Sequence, residues 1–281
     1  MSWKKRILVV TSCLFLFAAC SDDSKSPSEP EYTLGVLKVL ITDAPGDFDA
    51  VNVTIAEVSV HFTDGDVMAE DDSTDTEGDT VAEKVSAEDG WVVINDQAQE
   101  FDLLTLSDGA TDLLGDAELE AGYYSQMRLE ISASEIVIDG ESYPVKIPSG
   151  TLKLVHGFDI VAGETTELVV DFDASRSIHE KGNKGDYQLK PTVRLITKKD
   201  TGSIRGVVTN AEHAPVAYAI AGADTINASF IDAIDGGFTL AFLPGGTYTV
   251  AISDTLGQSY ENSAVESNKG NVTDLGDITL D

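Results

Sequence analysis

Three carboxylates gather on one short turn, Asp43-Ala44-Pro45-Gly46-Asp47-Phe48-Asp49. Asp43, Asp47 and Asp49 are hard oxygen donors of the type calcium takes, and the Pro-Gly bend lets them converge. A plainer chemistry competes: Asp43 caps the turn by accepting backbone N–H bonds while Asp47 and Asp49 stay in water. No EF-hand spacing and no bidentate glutamate follow, so turn capping is the default and calcium the rival. The histidines, His61, His156, His179 and His213, form no H-E-x-x-H or H-x-x-E arrangement that would set zinc beside a general base. Gly140-x-Ser142 and Gly257-x-Ser259 lack the closing glycine of a nucleophile elbow, and no glycine pattern suits a phosphate loop. Carboxylates are so abundant that any acid-base pair could be drawn and none is singled out. No catalytic residue is assigned, no cofactor beyond calcium is implied, and the expectation is a protein that is not an enzyme.

The elements that would position such groups begin with a leader. Lys4, Lys5 and Arg6 precede an 11-residue run, Ile7 to Phe17, in which only Thr11 and Ser12 are polar. Spanning a membrane takes about 20 apolar residues, so residues 1–19 read as a signal peptide instead. Phe17-Ala18-Ala19-Cys20 resembles the bacterial lipobox, with Phe where Leu is commoner; the resemblance implies lipid attachment at Cys20 and a membrane partner through that anchor. Cys13 and Cys20 are the only cysteines, which leaves the body without a disulfide or a thiolate ligand. Residues 20–32 are polar and Pro-containing and read as a flexible tether. Ser21-Asp22-Asp23 resembles an acidic signal that carries some Gram-negative lipoproteins to the outside of the outer membrane, the expected location.

The whole chain of 281 residues carries 49 acids against 18 bases, a formal charge of −31, which excludes nucleic acid as a partner. Short turn-separated β runs dominate, so the fold class is mainly β: two antiparallel β-sandwich domains, with one or two short helices in the first. The first domain spans 33–200 and the second 203–281, with the boundary near Lys198-Lys199-Asp200-Thr201-Gly202. In the first, strands are expected around Leu34–Ile41, Val51–Phe62, Met127–Ile131, Ile136–Ile138, Leu152–Val155, Leu168–Phe172 and Leu189–Ile196. The alternation of Val51, Val53 and Ile55 changes parity before Val58, Val60 and Phe62, which predicts a β-bulge at Ala56-Glu57. Short helical turns are expected over Phe101–Leu106 and Asp112–Leu119. Segment 64–89, with eleven acids and only Lys84 as a base, reads as a long mobile insertion. The basic stretch 176–200 is expected to pair internally with acidic surface, lipopolysaccharide phosphate being the alternative.

In the second domain, Phe238–Phe242 and Thr247–Ile252 alternate on either side of Leu243-Pro244-Gly245-Gly246, which predicts a hairpin. Leu243-x-x-Gly246-x-Tyr248 also echoes Leu119-x-x-Gly122-x-Tyr124 in the first domain. If that echo is not chance, the domains are related sandwiches and each tyrosine can bond backbone at a sheet corner. For sugar binding, aromatics are scarce: Trp91 is the only tryptophan beyond the leader's Trp3, and at least one of Tyr123 and Tyr124 is expected in the core.

Two longer resemblances follow from the motifs. Leu40 through Thr54, Gly122 to Leu129, Asp171-Phe172-Asp173-Ala174-Ser175-Arg176-Ser177-Ile178 and Tyr187-Gln188-Leu189-Lys190-Pro191 resemble the domain-of-unknown-function family 4382, which is typical of bacterial lipoproteins and implies no mechanism. Ser203-Ile204-Arg205-Gly206-Val207-Val208, Asp235-Gly236-Gly237-Phe238 and Leu243 to Tyr248 are similar to the transthyretin-like, carboxypeptidase regulatory-like domain. That resemblance implies an accessory sandwich of a fold also described as carbohydrate-binding-like, with no catalytic residues. Together the readings point to a surface-exposed outer-membrane lipoprotein acting as a non-enzymatic binding or structural module, with a protein or glycan ligand. The alternatives are a fimbrial subunit assembled by strand donation and an accessory to a hydrolase or glycan-uptake system.

Overall fold

Val, Ile, Thr and Leu in period-two order leave one face of each run apolar, and two such faces must close on each other. In the computed structural model, which describes residues 33–44, 46, 48–63, 90–182 and 185–281, they do so twice. The leader, Cys20, the tether, Asp47 and the insertion 64–89 lie outside the described residues.

The first sandwich runs through β1 (Leu34–Ala44), β2 (Ala50–Thr63), β3 (Trp91–Asn95), β4 (Gln99–Asp102), β5 (Asp112–Glu120), β6 (Gly122–Ile138) and β7 (Glu141–Lys146). It continues through β8 (Thr151–Leu154), β9 (Phe158–Ile160), β10 (Thr165–Asp173), the one-turn helix α1 (Ala174–Ser177), β11 (Ile178–Glu180), β12 (Tyr187–Leu189) and β13 (Val193–Thr197). One sheet has the order β13-β10-β1-β5; the other has β11-β12-β7-β6-β2-β3, with β4 on β2 and with β8 and β9 on β6. The second sandwich comprises β14 (Thr201–Val208), β15 (Val216–Ala221), β16 (Asp224–Phe230), β17 (Gly237–Pro244), β18 (Gly246–Ser253), β19 (Ser259–Ser267) and β20 (Val272–Ile278), in sheets β17-β14-β20 and β16-β15-β18-β19. Pairing is mainly antiparallel, but β1 with β10, β7 with β12 and β14 with β20 run parallel.

The expected bulge is present. Ile55 faces Ile131 and Glu57 faces Glu130, which leaves Ala56 unpaired, while Ser132 is skipped on the partner strand. The shift returns Val58 and Val60 to the side of Val51, Val53 and Ile55, and all five are buried. Two other expectations are corrected. Leu103–Leu106 is a 3-10 turn, as foreseen, but Asp112–Leu119 lies in strand β5 rather than a helix. Pairing with β1 along its length outweighs the helix-like spacing of its leucines. The expected hairpin is also absent: β17 pairs with β14, whereas β18 pairs with β15 and β19 in the other sheet. Pro-Gly-Gly is therefore a corner between sheets.

The same corner occurs between β5 and β6, and the two tyrosines of the sequence echo occupy equivalent places. Tyr124 Oη donates to the Glu120 carbonyl at 3.1 Å, and Tyr248 Oη donates to the Pro244 carbonyl at 2.8 Å. In each case the bond reaches back four residues across the corner, as in a tyrosine corner. Sheet order repeats as well. The first strand of each sandwich (β1, β14) lies between the strand before the corner (β5, β17) and a parallel late strand (β10, β20), and the second strand (β2, β15) pairs with the strand after the corner (β6, β18). The chain thus builds one topology twice: the first copy adds β11 to β13, and it sets β3 and β4 on its second strand and β7, β8 and β9 on the strand after the corner, where the second copy has only β16 and β19.

Residues 32–281 form one compact unit, with a separate apolar core in each sandwich. A third cluster joins them: Leu40, Val169 and Ile196 from the outer face of the first sandwich pack on Ala241 and Phe242 of the second. Ser229 Oγ donates to Asp108 Oδ1 at 2.5 Å across the same seam.

Candidate functional site

Because β1 and β10 run parallel, Ala44 lies opposite Asp173 and both strands end on the same side. Asp43 at the end of β1 and the acidic segment 171–178, far apart in sequence, are thereby brought together. Asp43 is buried, and its Oδ1 accepts the Ala174 N–H at 2.8 Å, tying the end of β1 to α1. Asp173 caps that turn: its Oδ1 accepts from the Arg176 N–H at 2.9 Å and from Ser175 Oγ at 2.8 Å. Ser177, fully buried, donates to the Asp173 carbonyl and accepts the Thr192 N–H at 2.9 Å. The Asp43, Asp173, Ser175 and Ser177 side chains supply these bonds, so the segment is tied to β1 and to the strand that follows.

It forms one wall of a cleft of about 530 Å³ between the sandwiches. On this wall Arg194 of β13 donates from Nε to Asp171 Oδ2 at 2.9 Å, and its Nη2 reaches the same oxygen. Asp171 Oδ1 is buried, and among the described residues it has no hydrogen-bond partner. Burial pushes the Asp171 carboxyl above its ordinary range, against the lowering pull of Arg194. The opposite wall is β15 and β16, where Val216, Tyr218, Thr225, Asn227 and Ala228 line the space. Arg176 spans the gap: its Nε lies 3.1 Å from Asp173 Oδ2 and its Nη2 donates to the Thr225 carbonyl at 3.1 Å.

The residues singled out for calcium do not enter this cleft as a set. Asp43 holds Ala174, and exposed Asp49 accepts the Gly140 N–H through Oδ2 at 2.9 Å, which is backbone capping in both cases. Among the described residues no group of three His, Cys, Asp or Glu could hold a metal ion. His61 packs edge-on to Trp91 at 5.1 Å and shares Nδ1 contacts with Thr63 and Ser125. One face of Trp91 carries the Arg128 guanidinium at 3.9 Å. Tyr124 is in the core, as expected of one of that pair, and Tyr123 is half exposed. Within the basic stretch, Arg176, Arg194 and Lys198 pair with Asp173, Asp171 and Glu167 of β10, so its charge is neutralised inside the fold there. Asp171, Arg194, Tyr218 and Asn227 were not legible as one site. The only signal was the Asp171–Ile178 motif itself: Arg194 lies outside the quoted motifs, and Tyr218 and Asn227 fall between the second sandwich's motifs at 203–208 and 235–238.

Over residues 34–191 the sequence matches the family model described as Domain of unknown function (DUF4382). None of the curated proteins matches. Similar solved structures include the Bacillus anthracis TIE protein, 10% identical with a TM-score of 0.22 over 89% of this chain and 51% of that one. GBS52, the minor pilin of Streptococcus agalactiae, is 11% identical with a TM-score of 0.20 over 86% of this chain and 94% of that one. The shaft pilin SpaA of Lactobacillus rhamnosus GG is 12% identical with a TM-score of 0.22 over 88% and 98%. The chain spans about half the length of the Bacillus anthracis protein.

Proposed function

Since the chain belongs to the DUF4382 family, whose description assigns no activity, we propose that it is a lipid-anchored, outward-facing surface protein that works as a non-enzymatic binding module, with the cleft between its sandwiches as the recognition site. The carrying observation is that cleft. Its first wall is made largely by the family-matched segment, and it is large enough for a small ligand. The ionisable groups around it already serve the fold, Asp43 on Ala174 and Asp173 on α1, which suits a scaffold that presents a surface rather than one that turns over substrate.

In this reading Cys20 carries the acyl chains, residues 20–32 set the body off the bilayer, and residues 203–281 are a transthyretin-like, carboxypeptidase regulatory-like module that completes the cleft. Among the described residues no helix is long and apolar enough to cross a membrane, so in this reading the anchor is the acylated cysteine.

The test has two arms. Mass spectrometry of the membrane-extracted protein should find a diacylated or triacylated N-terminal Cys20, and protease treatment of intact cells should remove the body. A photo-crosslinking residue at Ala228, in the cleft, should capture a ligand on living cells that the same group at exposed Val155 does not. An unacylated soluble product, or equal capture at both positions, overturns the reading. Filaments of the purified protein in negative stain would favour the fimbrial alternative.

A further inference from the structure

A second cavity, of about 520 Å³, opens beside the seam, and Phe242 belongs to both. It shares no lining residue with the cleft described above. Its backbone is tied together at two places: the Gly270 N–H donates to the Thr201 carbonyl at 2.8 Å, and the Ser203 N–H donates to the Asn271 carbonyl at 3.0 Å. The Lys198–Glu167 pair at 2.9 Å joins the turn after β13 to β10.

Charge at this cavity runs against the rest of the chain. Among the described residues Glu167 is the only carboxylate lining it, and both of its oxygens are engaged: Lys198 Nζ lies 2.9 Å from one and Lys38 Nζ 3.9 Å from the other. Lys199 also lines the space, is exposed, and makes no ion pair or hydrogen bond among the described residues. Three amines therefore answer to one carboxylate, which leaves a local surplus of two positive charges. The side chains of Lys38 and Lys198 are each 42% exposed, so a ligand can reach them from solvent. The Ser203 hydroxyl and the Asn271 amide are uncommitted as well, and both can donate. The net charge of −31 opposes an anion at long range, but at ~0.1 M salt that field is screened beyond about 10 Å, and the nearest lysines decide.

We propose that this cavity binds a phosphomonoester group carried on a small organic body. Such a group brings a charge of about −2 at neutral pH and three acceptor oxygens, which matches the surplus and the free donors. Lys198 and Lys199 meet it as point charges, Ser203 and Asn271 donate to its remaining oxygens, and Phe242 and Val272 bear on the organic body. A carboxylate or a sulfate monoester carries a single charge and leaves half the surplus unmatched. The volume lies within the range of small-molecule pockets and leaves space beyond the phosphoryl group for its carrier. No bond is made or broken. The site goes beyond the recognition cleft and is independent of it.

The experiment is calorimetric titration of the full-length protein, in detergent at ~0.1 M salt, with phenyl phosphate as the probe. Phenyl sulfate and benzoate share its ring and carry one charge. Phenyl phosphate should bind at one per chain and at least about tenfold more tightly than either comparator. Lys199→Met, which removes an amine that the fold does not use, should weaken binding at least about fivefold at an unchanged melting temperature. Val272→Trp, at an exposed position on the rim, should block the cavity and weaken binding by a similar factor. Lys153→Met removes the same charge from an exposed site on β8 and should leave binding unchanged. Detergent micelles doped with phosphatidic acid distinguish the source: competition with phenyl phosphate assigns a lipid headgroup, its absence a soluble ester, and either keeps the phosphoryl site.

The proposal is overturned if phenyl phosphate shows no saturable binding up to about 10 mM, if phenyl sulfate or benzoate binds as tightly, or if Lys153→Met weakens binding as much as Lys199→Met. Such a failure leaves the crosslinking test at Ala228 untouched, since the two cavities have no residue in common.

Discussion

Replacing Tyr124 by Phe removes one oxygen and leaves the ring's packing intact, which makes it a clean probe of the repeated corner. The Tyr124 ring stacks on Phe158 at 5.5 Å and tilts against Phe62 at 5.2 Å, contacts that Phe keeps. What is lost is the bond to the Glu120 carbonyl at 3.1 Å, in a residue only 1% exposed. A typical intramolecular hydrogen bond contributes about 1 kcal/mol net, and a carbonyl left without its partner adds to the loss, so Tyr124→Phe should cost about 1–2 kcal/mol. Tyr248→Phe, losing the 2.8 Å bond to Pro244, should cost a similar amount. The two lie in separate cores, so the double variant should lose about the sum. Urea denaturation followed by circular dichroism reads this as a lower midpoint at constant slope. Alkaline titration gives a second readout. Burial, with the Glu120 charge behind it, pushes the Tyr124 phenol up to about 12. The folded state therefore holds this proton more tightly than the unfolded chain, whose tyrosine titrates near 10. Stability from this group is complete below about pH 10 and is lost as pH rises toward 12. Tyr124→Phe should flatten the alkaline limb of the stability curve. If Tyr124→Phe unfolds at the same urea midpoint as the parent and keeps the same alkaline limb, the corner bond is not stabilising and the equivalence of the two corners loses its energetic meaning.

Arg194→Met strands the buried Asp171 carboxylate and should cost about 3–5 kcal/mol at neutral pH. The cost should shrink as the pH is lowered, because burial raises that carboxyl's hold on a proton and the stranded group becomes neutral, and denaturation at neutral and at acid pH checks it. Gly236 has φ +74°, and a Cβ there would sit 2.2 Å from the Val208 carbonyl oxygen, so Gly236→Ala should lower the second sandwich's stability by at least ~2 kcal/mol in the same assay. Phe242→Ala empties the seam between the sandwiches, costs about 3 kcal/mol, and should split a single calorimetric unfolding transition into two. A single transition at the parent temperature would count against the seam as the coupling element.

How much of this was legible depends on how local the determining physics is. Residues 51–62 carry their bulge in plain view, because parity of side-chain direction is a property of the strand alone. The Leu-x-x-Gly-x-Tyr echo likewise carried the two tyrosine bonds, given there on the condition that it was not chance, since the turn and the back-reaching hydroxyl lie within a few residues. Asp112–Leu119 was misread because its leucines fit a helical stripe as well as a strand beside β1. The hairpin at Pro244 was misread for a related reason: alternation on both sides of a turn says that two strands follow one another, and leaves their partners open. The cleft was the least legible part. Asp171 and Arg194 are 23 residues apart and meet because β10 and β13 pair, while Asn227 and Tyr218 belong to the second sandwich.

By itself, then, the amino-acid order determined the all-β character, the inward faces, the bulge and the paired tyrosine turns, since these follow from side-chain alternation and turn chemistry over a few residues. Only the tertiary structure decided that β1 and β10 lie parallel, that Asp43 and the 171–178 motif meet at one end of a sheet, and that a second sandwich closes a cleft beside Asp171. Strand partnership and the docking of one sandwich on another depend on contacts between residues remote in the chain, and no local pattern encodes which remote surface will be buried.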